Sequence, residues 1–224
     1  NFPLAQDTVI IENTGLNTSA TVTINAGYNI GNFDASTRTN ALTFSTPNAP
    51  VLNGNFSWGT GLTQTGSVAW TFTNRSTKTL NSVGYTFPNT SFTIDAPGGG
   101  IQLLTNNLTL GSTLTTTLTQ GTLDLNNLTL STGLFSSNNS NTRTIAFGTG
   151  NITCTGTGTV WTTSTATGLT TTGTQVVNVT SAGSTAITVN PGVLSEENSI
   201  SYNFTGGTYS LSFLQGSGNT ARNV

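Results

Sequence analysis

The chain has 224 residues, of which five are Lys or Arg and seven are Asp or Glu, so its formal net charge is −2. Thr (50), Asn (27), Gly (26) and Ser (22) supply more than half of the residues. Because ordinary domains carry about a quarter charged residues, this surface must be formed by hydroxyls and amides. Five scattered cations cannot follow a phosphate backbone, which excludes nucleic-acid binding. No apolar run approaches the roughly 20 residues that span a bilayer.

The composition favours strands over disorder. Disordered chains are poor in β-branched and aromatic residues, whereas Thr, Val, Ile, Phe, Tyr and Trp, all strand formers, are plentiful here. The absence of His excludes histidine metal ligation and histidine acid–base chemistry. The single Cys154 excludes an internal disulfide, and its place in a strand-like run, NITC, predicts a buried side chain.

Short alternating segments bounded by Asn, Gly, Ser or Pro recur about every 8 to 12 residues, the spacing of an all-β fold. In the first half the predicted strands are residues 8–12, 20–24, 27–33, 41–44, 51–56, 67–72 and 91–94, before a sharp bend at 98–100. In the second half they are residues 106–110, 126–130, 144–147, 151–154, 160–161, 176–179, 186–189, 199–204 and 209–213.

The stretch 106–130 predicts how these strands are arranged. The string NNLTL opens it at Asn106 and recurs at Asn126, and the next match, NITC, starts at Asn151. A repeat of this length is typical of stacked architectures, and alternating Leu and Thr place the leucines on one side of a strand. We therefore predict a single all-β domain over residues 1–224, a right-handed parallel β-solenoid with coils of roughly 20 residues. An antiparallel sandwich or jelly roll is the alternative, but the only hairpin-type pair is Asn53-Gly54.

The acidic residues give no catalytic constellation. Glu196 and Glu197 are adjacent but follow Pro191-Gly192, which predicts a solvated loop. Asp95 and Asp124 could be neighbours across coils, yet both lie in turn-like sequence, so a catalytic pair there is a weak hypothesis. The run at 98–100 lacks the Asp of calcium-binding nonapeptide repeats. We predict no catalytic residues, no cofactor and no metal site, and hence a protein that is not an enzyme.

Two surface features remain. Thr-x-Thr pairs, as in 113–119 and 170–174, could describe an ice-binding solenoid, but they do not recur at a fixed phase along the sequence. Trp58 lies between Ser57 and Gly59, and Trp161 follows a TGTGT run. These small neighbours make the two tryptophans the best candidates for exposed rings that contact a glycan. The alternative is that both belong to the core, where most such aromatics lie.

Residues 121–130, 133–137 and 140–153 resemble a repeat module of tailed-phage structural proteins, and residues 27–31, 40–45 and 83–97 are similar to the same modules. The resemblance covers most of the chain. It implies a β-helical part of a virion, such as a fibre, spike or surface decoration, that contacts other virion proteins and a host surface glycan. It also implies a homotrimer, because phage fibres usually trimerise, and it gives no catalytic residues.

Other classes stay open. Related modules occur in bacterial surface proteins, so the alternative is an extracellular adhesin or a surface-filament subunit of a bacterial cell. A polysaccharide-degrading β-helix enzyme would need clustered acids, and the scarcity of charge argues against it.

Overall fold

The computed structural model describes residues 4–16, 18–180, 187–190, 196–205 and 209–211 of the chain. The one helical segment in these ranges is a 3-10 turn, η1, at Glu196–Asn198. In chain order the strands are β1 Thr8–Ile10, β2 Ala20–Thr23, β3 Asn29–Ile30, β4 Asn32–Asp34, β5 Leu42–Ser45, β6 Val51–Leu52, β7 Phe56–Ser57, β8 Leu62–Thr65, β9 Trp70–Phe72, β10 Thr77–Asn81, β11 Thr86–Phe87, β12 Phe92–Leu103, β13 Leu108–Leu110, β14 Thr115–Asp124, β15 Thr129–Thr132, β16 Leu134–Ser136, β17 Arg143–Ala146, β18 Asn151–Cys154, β19 Thr159–Thr162, β20 Leu169–Thr172, β21 Val176–Val179, β22 Ile187–Asn190, β23 Ser201–Phe204 and β24 Tyr209–Leu211.

The strands stack as a parallel β-solenoid of about 8 turns. Face A consists of β3, β6, β9, β16, β19, β22 and β24 with the first parts of the long strands β12 and β14. Face B consists of β1, β4, β7, β10, β17 and β20 with the second parts of β12 and β14. Face C consists of a three-stranded sheet, β2-β5-β8, followed by a six-stranded sheet, β11-β13-β15-β18-β21-β23. The predicted parallel solenoid is confirmed, and the antiparallel sandwich is wrong.

The predicted bend at 98–100 is confirmed inside β12, which passes from face A to face B. The register of β12 against β14 shifts on either side of Asp95, and pairing resumes at Gly100. Gly98 and Gly121 have φ of 75° and 86°, in the left-handed region that favours glycine. At Gly121 a Cβ would collide with the Ala96 carbonyl, so the corner requires a residue without a side chain.

The coil length varies around the predicted value. Thr116 pairs with Phe135 in the next turn, a separation close to the prediction, whereas Trp161 pairs with Val189 after a clearly longer excursion. The two NNLTL strings are also out of register, because Leu108 pairs with Leu130 rather than with Leu128. The predicted superposition of the two strings is therefore wrong.

The shift arises in the turn before β15. Asn126 and Asn127 have φ of 48° and 65°, a conformation that Asn tolerates better than most residues, and the strand begins only at Thr129. Because side chains alternate with period two, a shift by one full period keeps the same set facing inward. Leu130 and Ile152 are therefore both buried, and the sequence pattern predicts the core although it misplaces the register.

The core changes character along the axis. The turns built from β3 to β12 bury an aromatic cluster in which rings touch from turn to turn, and Phe56 lies within 6.4 Å of Phe33, Trp58, Trp70, Phe72, Phe87 and Phe92. The later turns bury mainly aliphatic residues, including Leu118, Leu123, Leu130, Ile145, Ile152 and Val177.

Two arginines are fully buried among backbone carbonyls. Arg38 donates to the carbonyl oxygens of Glu12, Leu16, Asn40 and Ala41 at 2.7–3.2 Å. Arg143 donates to the carbonyl oxygens of Ser137, Asn141, Thr165 and Thr167 and to Ser137 Oγ at 2.6–2.8 Å. The guanidinium group carries five N–H donors in a fixed fork, so one side chain satisfies several carbonyls where the chain leaves the ladder at a turn.

Asparagine side chains extend the ladders at the turns. Asn32 Oδ1 accepts from the Asn55 amide at 2.8 Å, and Asn55 Oδ1 accepts from the Thr79 amide at 3.0 Å. Asn127 Oδ1 similarly accepts from the Thr149 amide at 2.9 Å. In each case the Asn side chain accepts a hydrogen bond from a backbone amide of the next turn. This role accounts for the abundance of Asn in a chain with few charges.

Candidate functional surfaces

Both tryptophans proposed to contact a glycan are buried, with an exposed fraction of 0%. Trp58 lies two residues after Phe56, in phase with its inward-facing position, and packs on Phe33 and Phe87 with ring centroids 5.8 and 5.2 Å apart. Trp161 stacks on Phe135 at 4.4 Å, and its Nε1 donates to Thr163 Oγ1 at 3.1 Å. The predicted exposure is wrong for both rings. The period of the strand places Trp58 inward, whereas Trp161 is buried together with the adjacent Val160, where the pairing of β19 is irregular between Thr159 and Trp161.

Asp95 and Asp124 lie on different faces and do not form a carboxylate pair. Asp95 pairs in register with Gln120 at the face A end of β12, and its Oδ1 accepts from Gln120 Nε2 at 2.5 Å. Asp124 ends β14 on face B, and its Oδ2 accepts from Gln102 Nε2 at 2.7 Å. Each carboxylate is thus bonded to a glutamine of the neighbouring turn, which gives it a role in joining coils.

Glu196 and Glu197 belong to η1, and the Glu197 side chain is exposed, in agreement with the predicted solvated position. The Glu197 carbonyl accepts from Gln175 Nε2 at 2.9 Å. Within the described ranges no three or more Asp, Glu or Cys residues come together in a way that could hold a metal ion.

A polar cleft of about 680 Å³ runs over the corner between faces A and B. Its walls are residues 97–99, 120–122 and 140–144 together with Thr77. No carboxylate lines it, and its one cation, Arg143, is buried against carbonyls. The cleft therefore offers hydroxyl, amide and carbonyl groups for hydrogen bonding, but no pair of groups for acid–base catalysis.

Cys154 is buried, as predicted. Desolvation raises the pKa of its thiol to about 12, so at neutral pH the side chain is a protonated core residue and not a nucleophile. It pairs with Thr132 in register and not with a leucine of the NNLTL strings, as the displaced register requires.

Face C carries a regular array of hydroxyls that was not predicted from the sequence. The outward positions of β2, β5 and β8 are Thr21, Thr23, Thr43, Ser45, Thr63 and Thr65, all exposed or half-exposed. Register pairs Thr21 with Thr43 and Thr43 with Thr63, and likewise Thr23 with Ser45 and Ser45 with Thr65. The conclusion that hydroxyl pairs lack a fixed phase is therefore wrong for these turns. The available signal was the recurrence of ATVT, LTFS and LTQT, which begin at Ala20, Leu42 and Leu62.

Comparison with known protein families, curated proteins and solved structures gives no significant match to the chain. In the part of the chain that the structure describes, no helix has the length and hydrophobicity to cross a membrane.

Proposed function

We propose that this chain is a non-enzymatic structural element of a phage particle, in the form of a stiff rod within a fibre, spike or surface decoration. The observation that carries the proposal is the stack of parallel coils, whose ladders run along three faces and whose interior is densely packed. Repeat proteins of this kind are elongated because each turn contacts only its neighbours. The virion assignment rests on the resemblance of residues 121–153 to phage structural modules.

The arrangement of polar groups supports a passive role. Asp95 and Asp124 hydrogen-bond to glutamines of adjacent turns, and the buried cations Arg38 and Arg143 bind backbone carbonyls. These groups stabilise turns and join coils. A hydrolase acting on a host polysaccharide would need two carboxylates on either side of one bond.

The test is to find the protein in its assembly. Particles from the source of the sequence are purified and labelled with an antibody raised against the recombinant chain, and cryo-microscopy then shows the labelled structure. We expect label on a capsid or tail projection whose density fits the stacked coils. Label along a filament on a bacterial cell would overturn the virion assignment and favour an adhesin or filament subunit.

Two further measurements address the finer parts of the proposal. Analytical ultracentrifugation of the recombinant chain should show the homotrimer that phage fibres usually form, and a monomer at all concentrations would contradict it. Incubation with purified host surface polysaccharide should leave the polymer length unchanged, whereas progressive shortening would overturn the non-enzymatic role.

A further inference from the structure

The turn over residues 56–72 buries the polar atoms of three side chains. Trp58 follows β7, Gln64 lies on β8 and Trp70 begins β9, and their exposed fractions are 0, 2 and 1%. Among the described residues, the Nε1 atoms of both tryptophans and the Oε1 atom of Gln64 have no hydrogen-bond partner. Buried indole N–H groups usually have one, as Trp161 does in Thr163 Oγ1. In this turn the protein therefore leaves two donors and one acceptor unpaired.

The orientation of the Gln64 side-chain amide is determined by its neighbours. Its Nε2 atom donates to the Gly66 carbonyl at 3.0 Å and to the Thr46 hydroxyl at 3.2 Å, and it also donates to the Thr90 hydroxyl. A carbonyl oxygen only accepts, and the Thr46 hydroxyl itself donates to the Thr65 carbonyl. Exchange of the amide nitrogen and oxygen would therefore place acceptors against each other, so Oε1 is the atom that remains without a partner.

The three side chains lie in one region of the core, around Phe44. The Phe44 ring centroid is 5.7 Å from that of Trp58 and 6.0 Å from that of Trp70, and the two indoles are 6.1 Å apart. Gln64 pairs in register with Phe44 of the preceding turn, and both side chains are buried. Gln64 therefore stacks about 4.8 Å from the ring that both indoles touch, which makes the carriers of the unpaired donors and of the unpaired acceptor close neighbours.

The hydrogen-bonding capacity of these atoms selects the ligand. Each indole N–H only donates and the Gln64 oxygen only accepts, so a ligand that satisfies all three must accept two hydrogen bonds and donate one. An anion cannot donate, and a metal cation cannot accept. A water molecule does both, and buried waters typically make about three hydrogen bonds to polar groups that the protein leaves unpaired. We propose that this turn binds one structural water, which accepts from Trp58 Nε1 and Trp70 Nε1 and donates to Gln64 Oε1.

The water lies beneath the interruption of face C. Gln64 belongs to β8, the last strand of the first sheet, and Tyr85 immediately precedes β11, the first strand of the second sheet. The Gln64 backbone amide donates to Tyr85 Oη, and the Tyr85 ring centroid lies 5.4 Å from that of Trp58. Where the backbone ladder of this face is interrupted, a tyrosine hydroxyl and a buried water thus supply the hydrogen bonds of the turn.

The direct test is a crystal structure of the full chain at a resolution that shows ordered waters. We expect one density peak within about 3 Å of Trp58 Nε1, Trp70 Nε1 and Gln64 Oε1. Because this measurement uses the wild type, it does not depend on whether a core variant folds. Absence of the peak, or indole N–H groups directed at the faces of neighbouring rings, would overturn the proposal.

In solution, the water is detected by nuclear Overhauser transfer to the Trp58 Nε1 proton, and its residence time is measured by magnetic relaxation dispersion. Trp70→Phe removes one of its three hydrogen bonds, so we expect the residence time to shorten about fivefold. Trp161→Phe, the matched control, truncates a buried indole whose N–H bonds to the protein, and should leave the residence time unchanged. Equal shortening in both variants, or a signal that Tyr85→Phe abolishes because the phenol proton relays it, would contradict the proposal. Neither measurement involves a phage particle, so their failure leaves the proposed virion role unaffected.

Discussion

The N-terminal and C-terminal turns share one backbone plan but fill it differently. In turns built from β3 to β12 the core is a continuous stack of aromatic rings, in which Phe56 and Trp70 meet edge to face at 5.0 Å. In turns built from β13 to β21 the same inward positions hold mainly Leu, Ile and Val, with Phe135 and Trp161 as a stacked pair that Tyr202 meets edge-on. Coil geometry thus depends on the alternation of inward and outward residues more than on which apolar residue faces inward.

The outer surface of face C changes at the same place. Between β8 and β11 the sheet of this face is interrupted, and N-terminal to the break the outward hydroxyls are free. C-terminal to the break, outward asparagines bond to one another: Asn178 Nδ2 donates to Asn151 Oδ1, and Asn203 Nδ2 donates to Asn178 Oδ1, both at 3.1 Å. Side-chain hydrogen bonds therefore reinforce the backbone ladder of face C in its last described turns.

The two halves should differ most in the loss of folding stability when the central tryptophan of each is replaced by alanine. Trp58→Ala removes a ring that touches Phe33, Phe56 and Phe87, among others, whereas Trp161 stacks on Phe135 alone and meets Tyr202 edge-on. Loss of a buried Trp costs about 3–5 kcal/mol, and we expect Trp58→Ala at the upper end of that range and Trp161→Ala at the lower.

Hydrogen exchange shows where each tryptophan acts. Because turns in a solenoid interact only with their neighbours, Trp58→Ala should lower amide protection in β4 to β11 and leave β17 to β21 protected. Trp161→Ala should do the opposite. Uniform loss of protection in either variant would mean that the two halves unfold as one unit.

Replacement of a buried arginine should cause the next largest loss of folding stability. Arg143→Met keeps the volume but leaves the carbonyls of Ser137, Asn141 and Thr167, among others, without a donor. Each buried carbonyl left without a donor costs about 1–3 kcal/mol, so we expect the free energy of unfolding, measured in urea, to fall by about 3 kcal/mol or more. Arg75→Met, at an exposed site, is the matched control and should change stability by less than about 0.5 kcal/mol. Equal effects would mean that solvent replaces the guanidinium of Arg143.

The local sequence patterns predicted the fold because the alternation of inward and outward side chains stays the same when two strands are paired one period out of register. The two NNLTL strings indicated the coil length and the inward leucines although their pairing was displaced by one period of the strand. Strands such as β10 and β20 were not predicted. Their sequences, TKTLN and LTTT, contain one apolar residue each, and parallel neighbours rather than local pattern make them strands.

The surface features were harder to predict from the sequence. Whether Trp58 is exposed depends on whether it faces the same side of the chain as Phe56. The sequence alone does not decide this, because the bounds of β7 and the side that Phe56 faces are known only from the structure. The hydroxyl array on β2, β5 and β8 depends on the register of three strands from successive turns, and abundant threonine elsewhere in the sequence conceals it. The buried roles of Arg38 and Arg143 have no local signal, because their partners include carbonyls of the neighbouring turn.

A pH titration should distinguish the C-terminal core from the N-terminal one. Burial raises the pKa of Cys154 to about 12 and that of Tyr202 well above its ordinary value, so unfolding releases protons from both groups at alkaline pH. Their contribution to stability is fully present below the unfolded thiol pKa of about 8.5 and is lost as the pH rises towards 12. We expect the melting temperature to fall over this range, and to fall less in Cys154→Ala. Identical pH profiles for wild type and variant would contradict the assignment to the thiol.

The smallest expected loss of stability concerns a hydrogen bond at the interruption between the two sheets of face C. Where β8 lacks a strand partner on its C-terminal side, the Gln64 amide donates to Tyr85 Oη at 2.8 Å, so a side-chain hydroxyl replaces a ladder carbonyl. Tyr85→Phe keeps the ring contact with Trp58 but leaves a buried amide unpaired, at a cost of about 1 kcal/mol. The Gln64 amide should then exchange faster, while Tyr28→Phe, which loses a bond to Asn25 at an exposed site, should leave it unchanged. If Gln64 exchanges at the same rate without the Tyr85 hydroxyl, water must already reach its amide, and face C would be open between its two sheets rather than closed by Tyr85.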